Sequence, residues 1–187
     1  MRTVIYDANV LYPSTLRDVL IRLGQRRIVR PRWTEQILDE VFRNLLMNRP
    51  DLDPERLART RELMNRAIRD VLVTEYENLV GTLDLPDPDD RHVLAAAIKA
   101  GASVIITQNL RDFPEAALAA YDVRAVHPDQ FLQEIHAEQP DALPQVVEKI
   151  ARAWRDSGAS VDDVVKSLEA HTPATAALIR DGMTGAD

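Results

Sequence analysis

The residues able to do chemistry in this chain are carboxylates. Cysteine is absent, and the four histidines, His92, His127, His136 and His171, have no zinc-site spacing, so each reads as a surface or capping residue. Four acids stand where they could converge. Asp7 ends the apolar run Val4-Ile5-Tyr6, Glu40 lies beside the apolar stripe of a helical segment, Asp90 opens an alanine-rich segment, and Asp112 follows the apolar run Ser103-Val104-Ile105-Ile106-Thr107. Plain structural alternatives stand beside this reading: Asp7, Asp90 and the neighbouring Asp89 could cap helices, and Asp112 could close a turn. Taken as a set they suggest a hard, oxygen-ligated cation such as Mg²⁺ or Mn²⁺. Close like charges repel by about a few kcal/mol per pair at intermediate dielectric, unless a cation sits among them. Such an ion lowers the pKa of a bound water and offsets charge on a phosphoryl oxygen.

The elements that must position these acids follow from periodicity. Residues 2–6 predict a buried strand with Asp7 at its carboxyl tip. Pro13-Ser14-Thr15-Leu16 opens a helix whose Val19, Leu20 and Leu23 share a face and which ends at Gly24. Ile28-Val29 reads as a short extended link. Thr34 caps a helix with the stripe Ile37, Leu38, Val41, Phe42, Leu45 and Leu46, with Glu40 at its border. A further helix runs from Asp53-Pro54-Glu55 to about Leu72, with an outer face of Arg56, Arg59, Arg61, Arg66 and Arg69 that suits solvent or a partner. The proline- and aspartate-rich stretch 83–92 leads into a helix that stops at Gly101, and strand 103–107 follows. A short helix over 115–121, a strand over 123–126 and a helix through Ile135 complete this part. Helices between strands imply crossovers and a parallel sheet. Parallel strands put their carboxyl ends on one edge, so Asp7 and Asp112 can meet there, with the start of the helix after Asp90 on the same side. Beyond about residue 137 only amphipathic helices remain, over 142–156, 160–170 and 173–182. The expected organisation is an α/β domain over 1–136 and a C-terminal helical extension over 137–187.

Composition narrows the class. Apolar residues make up 45% and charged residues 28% of the sequence, which suits a soluble globular protein, and no apolar run approaches a membrane span. The first residues hold no basic region followed by an apolar stretch, so no secretory leader and a cytoplasmic location are expected. A net charge of −7 argues against a protein that coats nucleic acid nonspecifically. The charge is uneven: residues 1–72 carry 14 Arg against 10 acids, whereas residues 73–187 carry 9 basic residues against 20 acids. The most basic segment runs from Gln25 to Trp33. Its Arg26, Arg27, Arg30 and Arg32 are candidates for holding an RNA backbone, with Trp33 either stacking on a base or buried in the core.

Taken together, Tyr6-Asp7-Ala8-Asn9-Val10-Leu11, Glu40, Asp87-Pro88-Asp89-Asp90-Arg91-His92-Val93-Leu94-Ala95-Ala96-Ala97 and Ile106-Thr107-Gln108-Asn109-Leu110-Arg111-Asp112-Phe113 resemble the PIN-domain nucleases, most closely the VapC-type toxins of type II toxin–antitoxin modules. The resemblance covers about residues 2–132. It implies a PIN-like three-layer fold, a central parallel sheet flanked by helices. It also implies an endoribonuclease with Asp7, Glu40, Asp90 and Asp112 around Mg²⁺ or Mn²⁺, and Asn9 and Thr107 orienting those ligands. Some members carry an acid where Asn109 stands, which leaves the fourth ligand open between Asn109 and Asp112. Asp87 and Asp89 are weaker candidates for a second metal held through water. The resemblance further implies RNA as substrate, a small antitoxin as partner and a homodimer, with no membrane. Two rivals stand beside it. A HAD-type phosphatase also begins with a strand ending in Asp, but needs a second Asp where this chain has Asn9. A catalytically idle PIN-like module would use the same groove only to bind RNA or protein.

Overall fold

The computed structural model of the protein describes residues 1–154 and 158–184. The apolar run at the start becomes β1 (Arg2–Tyr6), whose Val4, Ile5 and Tyr6 are fully buried. A single-turn helix α1 (Ala8–Leu11) follows at once, and then α2 (Ser14–Gln25). The chain returns as β2 (Val29–Arg32), which pairs in parallel with β1, Arg2 opposite Val29 and Ile5 opposite Arg32. The expected link at Ile28-Val29 is therefore a strand. Its sequence, Val-Arg-Pro-Arg, hides this because an edge strand tolerates charge and a proline that a central strand would not. Helix α3 (Glu35–Asn48) starts at Thr34, whose hydroxyl accepts from the Ile37 amide at 3.0 Å. Helix α4 (Pro54–Ala67) ends earlier than its sequence suggests, and its continuation pairs back onto Trp33 through Val71 and Val73. Arg61, on the outer face of α4, is not free: it clasps Glu35 and Asp39 of α3.

The single turn α5 (Glu77–Val80) precedes α6 (Arg91–Ala100), which stops at Gly101 in the left-handed conformation (φ 60°) that glycine adopts most readily. Then come β3 (Val104–Ile106), the short α7 (Glu115–Leu118) and β4 (Arg124–Val126). The sheet has the order β2-β1-β3-β4, all parallel. From β1 the chain steps outward to β2 and then returns to the other side as β3. The crevice beyond the carboxyl ends of β1 and β3 is therefore the topological switch point, where sheets of this kind place ligands.

Four helices close the chain: α8 (Pro128–Glu138), α9 (Ala142–Ala153), α10 (Val161–Glu169) and α11 (Pro173–Thr184). The three expected after residue 137 are all present, although residues 155 and 156 at the end of the first lie outside the described residues. These helices are not a loose appendage. Leu143, Val146, Ile150, Val164, Val165, Leu168 and Ile179 are buried within the same apolar core as the sheet. Arg26 reaches Gln145 on α9, and Thr15 at the start of α2 shares a 2.7 Å hydrogen bond with Ser167 on α10. Asp129 at the start of α8 accepts from the Ala174 and Thr175 amides at 3.0 and 2.8 Å and from the Thr175 hydroxyl at 2.7 Å, so it caps α11 from another helix. No helix among the described residues is long and apolar enough to cross a membrane.

Candidate active site

The site grows from the tip of β1. Asp7 is only 4% exposed, and its amide continues the sheet by donating to Ile106 O at 3.1 Å. One carboxylate oxygen, Oδ1, accepts from the Ala8 amide at 2.6 Å, so Asp7 does cap α1. The other, Oδ2, faces the tip of β3 and accepts from Thr107 Oγ1 at 2.7 Å and from Asn9 Nδ2 at 2.6 Å. The bonds close on themselves. Asn9 Nδ2 also donates to Thr107 Oγ1 at 2.9 Å, Asn9 Oδ1 accepts from the Gln108 amide at 2.9 Å, and the Asn109 amide donates to Thr107 Oγ1 at 3.0 Å. The side chains of Asn9 and Thr107 thus fix the direction of the Asp7 carboxylate and tie the ends of two central strands together. Burial raises the Asp7 carboxyl above its ordinary value, the Thr107 and Ala8 hydrogen bonds work against that, and Glu40 adds to it.

Asp90 sits where a short 3₁₀ turn (Pro88–Asp90) runs into α6, and its side chain makes no capping bond. Its carboxyl is therefore left for the crevice. Burial, followed by the charges of Asp7, Asp112 and Asp87, pushes it up to about 7, with His92 pulling the other way. Asp87, Asp90 and Asp112 each offer a carboxylate oxygen within 4.8 Å of the others. Asp112 stands in a 3₁₀ turn (Leu110–Asp112), and Asn109 Nδ2 donates to its Oδ2. Asn109 thus orients the carboxylate, and Asp112 is the group that joins the acids. Glu40, on α3, lines the crevice with Asp7 and Asp90 and lies 2.8 Å from His92 Nε2. That approach has the length of an ion pair but not the angle of a hydrogen bond.

Two cavities meet at these acids. One, of about 410 Å³, is lined by Asp7, Asn9, Glu40, Asp90, Asn109 and His171, among others. The other, of about 620 Å³, shares Glu40 and Asp90 and adds Arg43, Asp89 and His92. A cluster of carboxylates with one held protonated near neutrality is an arrangement short of positive charge. Its donors are all hard oxygens, so the residues fit Mg²⁺ or Mn²⁺.

Asp7, Asn9, Glu40, Asp90 and Asn109 line one crevice, Thr107 and Asp112 are tied to it through Asp7 and Asn109, and two further residues stand with them. Asp87 completes a tight group with Asp90 and Asp112, to which neither Asp7 nor Glu40 belongs, and His92 is a buried partner of Glu40, 2% exposed, not a surface histidine. The basic segment is not brought to the acids. Arg26 and Arg27 precede β2, at the amino ends of the strands, and Arg26 is spent on Gln145. Arg30 lines a different cavity with Arg27 and Arg69. Arg32 turns its guanidinium to Leu72 O at 3.2 Å. Trp33 is fully buried, stacked on Tyr6 at 6.4 Å, with its indole N–H given to Asn65.

A parallel α/β sheet with carboxylates gathered beyond its switch point is an arrangement that can hold a hard cation where such sheets bind ligands. The comparisons with known proteins specify the class. The PIN domain profile matches residues 3–111, and the chain belongs to the PIN-domain family. The VapC50 C-terminal domain profile matches residues 128–181, so the helical extension is also of VapC type. The chain is 37% identical over 91 residues to the candidate ribonuclease VapC50 of Mycobacterium tuberculosis (strain ATCC 25618 / H37Rv). That alignment spans 49% of this chain and 54% of the relative. No solved structure matches the chain significantly.

Proposed function

We propose that the protein is a metal-dependent endoribonuclease, the toxin of a toxin–antitoxin pair, that hydrolyses RNA phosphodiester bonds in the cytoplasm. The observation that carries this reading is the junction of Asp7, Glu40, Asp90 and Asp112, where burial and then the acidic neighbours push Asp90 up to about 7. Asp7, Asp90 and Asp112 would hold Mg²⁺ or Mn²⁺, and Glu40 would bind the ion or its water. The bound ion supplies an activated water and neutralises charge on the phosphoryl oxygen. The chain does the positioning. Thr107 and Asn9 fix the direction of the Asp7 carboxylate at the crevice, Asn109 does the same for Asp112, and His92 steadies Glu40. The VapC-type domain arrangement supports RNA as substrate and a small antitoxin as partner, and the family resemblance carries the expectation of a homodimer. The PIN-domain match leaves the phosphatase alternative without support.

The test separates an active nuclease from an idle module of the same fold. Calorimetric titration with Mn²⁺ is expected to show binding by the parent and weak or no binding by Asp90→Asn. RNA incubated with the parent and Mn²⁺ is expected to be cut. Absence of metal binding would favour the idle module, and metal binding without cleavage of any RNA would reject the ribonuclease assignment.

A further inference from the structure

Glu40 and Asp90 are shared by two cavities, and the two differ in what lies beyond the acids. Any RNA strand that reaches the carboxylates must have its flanking phosphates held by something other than acid. In the smaller cavity the non-acidic polar lining is amide and hydroxyl, from residues such as Asn9, Asn44, Asn48 and Tyr12. His171 is its one side chain that can carry positive charge. In the larger cavity that position is held by Arg43, exposed on α3 and in no ion pair among the described residues. His92 on that side is buried against Glu40.

His171 comes from the helical extension, in the turn between α10 and α11. The turn is held firmly. The His171 and Thr172 amides and the Thr172 hydroxyl all bond to Leu168 O, at 3.0, 2.8 and 3.1 Å. On its other side Asp129 holds the first turn of α11, and Ser167 anchors α10 to the start of α2, near Tyr12 and Pro13 of the same cavity. The imidazole ring makes no hydrogen bond among the described residues, and an imidazole offers an N–H in either protonation state.

We infer that the RNA strand crosses the acid row from one cavity to the other, with Arg43 holding a phosphate on one side and His171, supplied by the C-terminal extension, holding a phosphate on the other. Both are substrate-positioning residues and neither is a metal ligand. The inference rests on the ribonuclease reading above. It gives the extension a direct part in substrate binding, beyond its share of the core.

The experiment uses the full chain and an RNA fragment that the parent cuts, recovered from total RNA with Mn²⁺. His171→Ala and Arg43→Ala are each expected to raise KM by about tenfold or more, the loss of one hydrogen bond to a charged group, with kcat unchanged. Mn²⁺ affinity and the melting midpoint are expected to match the parent, which a merely structural role for the His171 turn would not allow. His171→Gln, which keeps an N–H donor, is expected to recover part of the loss. The double variant should show additive effects in free energy, because the residues lie on separate sides of the acids. Parent KM in either single variant overturns the path while leaving the nuclease assignment intact. A parent protein that cuts no RNA removes both.

Discussion

Asp90 provides the sharpest physical handle on the site. In the metal-free protein its carboxyl titrates near 7, against an ordinary 3.8, because burial and three acidic neighbours oppose its charge. The folded state therefore holds this proton more tightly than the unfolded chain does. Stability falls as pH rises from the unfolded value toward about 7 and levels off above it. The raw shift corresponds to about 4 kcal/mol. The carboxyl is only half-buried and solvent screens its neighbours, so about 1–2 kcal/mol is a fairer expectation. Asp90→Asn keeps the shape and removes the charge. In EDTA it should melt close to the parent at about pH 3.5, below the unfolded value, and higher than the parent at about pH 8, by about 3–6 °C for a chain of this size. Saturating Mn²⁺ should reverse the order. The parent gains about 2.7 kcal/mol at a metal concentration near 100 Kd, and the variant gains less because a ligand is gone. Thermal melts at the two pH values, with EDTA and with Mn²⁺, read all four corners. A gap between variant and parent that is the same at both pH values, or a variant less stable than the parent in EDTA at about pH 8, would refute the electrostatic account of the cluster.

Other consequences follow from the hydrogen bonds. Thr107→Val removes the hydroxyl that donates to Asp7 and accepts from Asn9 and Asn109, so Mn²⁺ affinity by calorimetry should fall by about 10–100-fold. Asn9→Ala should act in the same direction, since it releases both the Asp7 carboxylate and the Gln108 amide. Asp129→Ala uncaps α11 and should cost about 1–2 kcal/mol in denaturant unfolding, with no change in Mn²⁺ affinity because its hydrogen bonds go to α11 and not to the acids.

Much of the fold is legible in the residues, for identifiable reasons. Strands β1 and β3 are short, apolar and central, and α6 carries its own stop at Gly101, so pattern alone locates them. Asp7 and Asp112 follow from those strands, because a parallel sheet fixes which edge its carboxyl tips share. The failures have the opposite character. Strand β2 lies at an edge, where its arginines and proline cost little, so its sequence looks like a loop. The basic run that contains it looks like an RNA contact because charge is read along the chain. The sheet direction sends its first arginines to the edge opposite the acids, and packing takes Trp33 into the core. His92 follows Asp90 in a helix that turns it toward Glu40, which depends on how α3 and α6 sit together. His171 belongs to a separate set of helices and meets the acids only because α10 docks beside α2.

The most direct test of the central claim is the rate at which purified protein cuts RNA in Mn²⁺, with Asp7→Asn measured alongside and its folding checked by melting. Asn at this position retains an oxygen for the Ala8 amide but turns a donor toward Asn9, so the fold should survive with some loss of stability while the proposed metal site loses its most buried carboxylate. Cleavage by the parent that stops in EDTA and falls by about 100-fold or more in Asp7→Asn is the predicted result. Equal cleavage by a folded Asp7→Asn variant, or cleavage by the parent undiminished in EDTA, would contradict it.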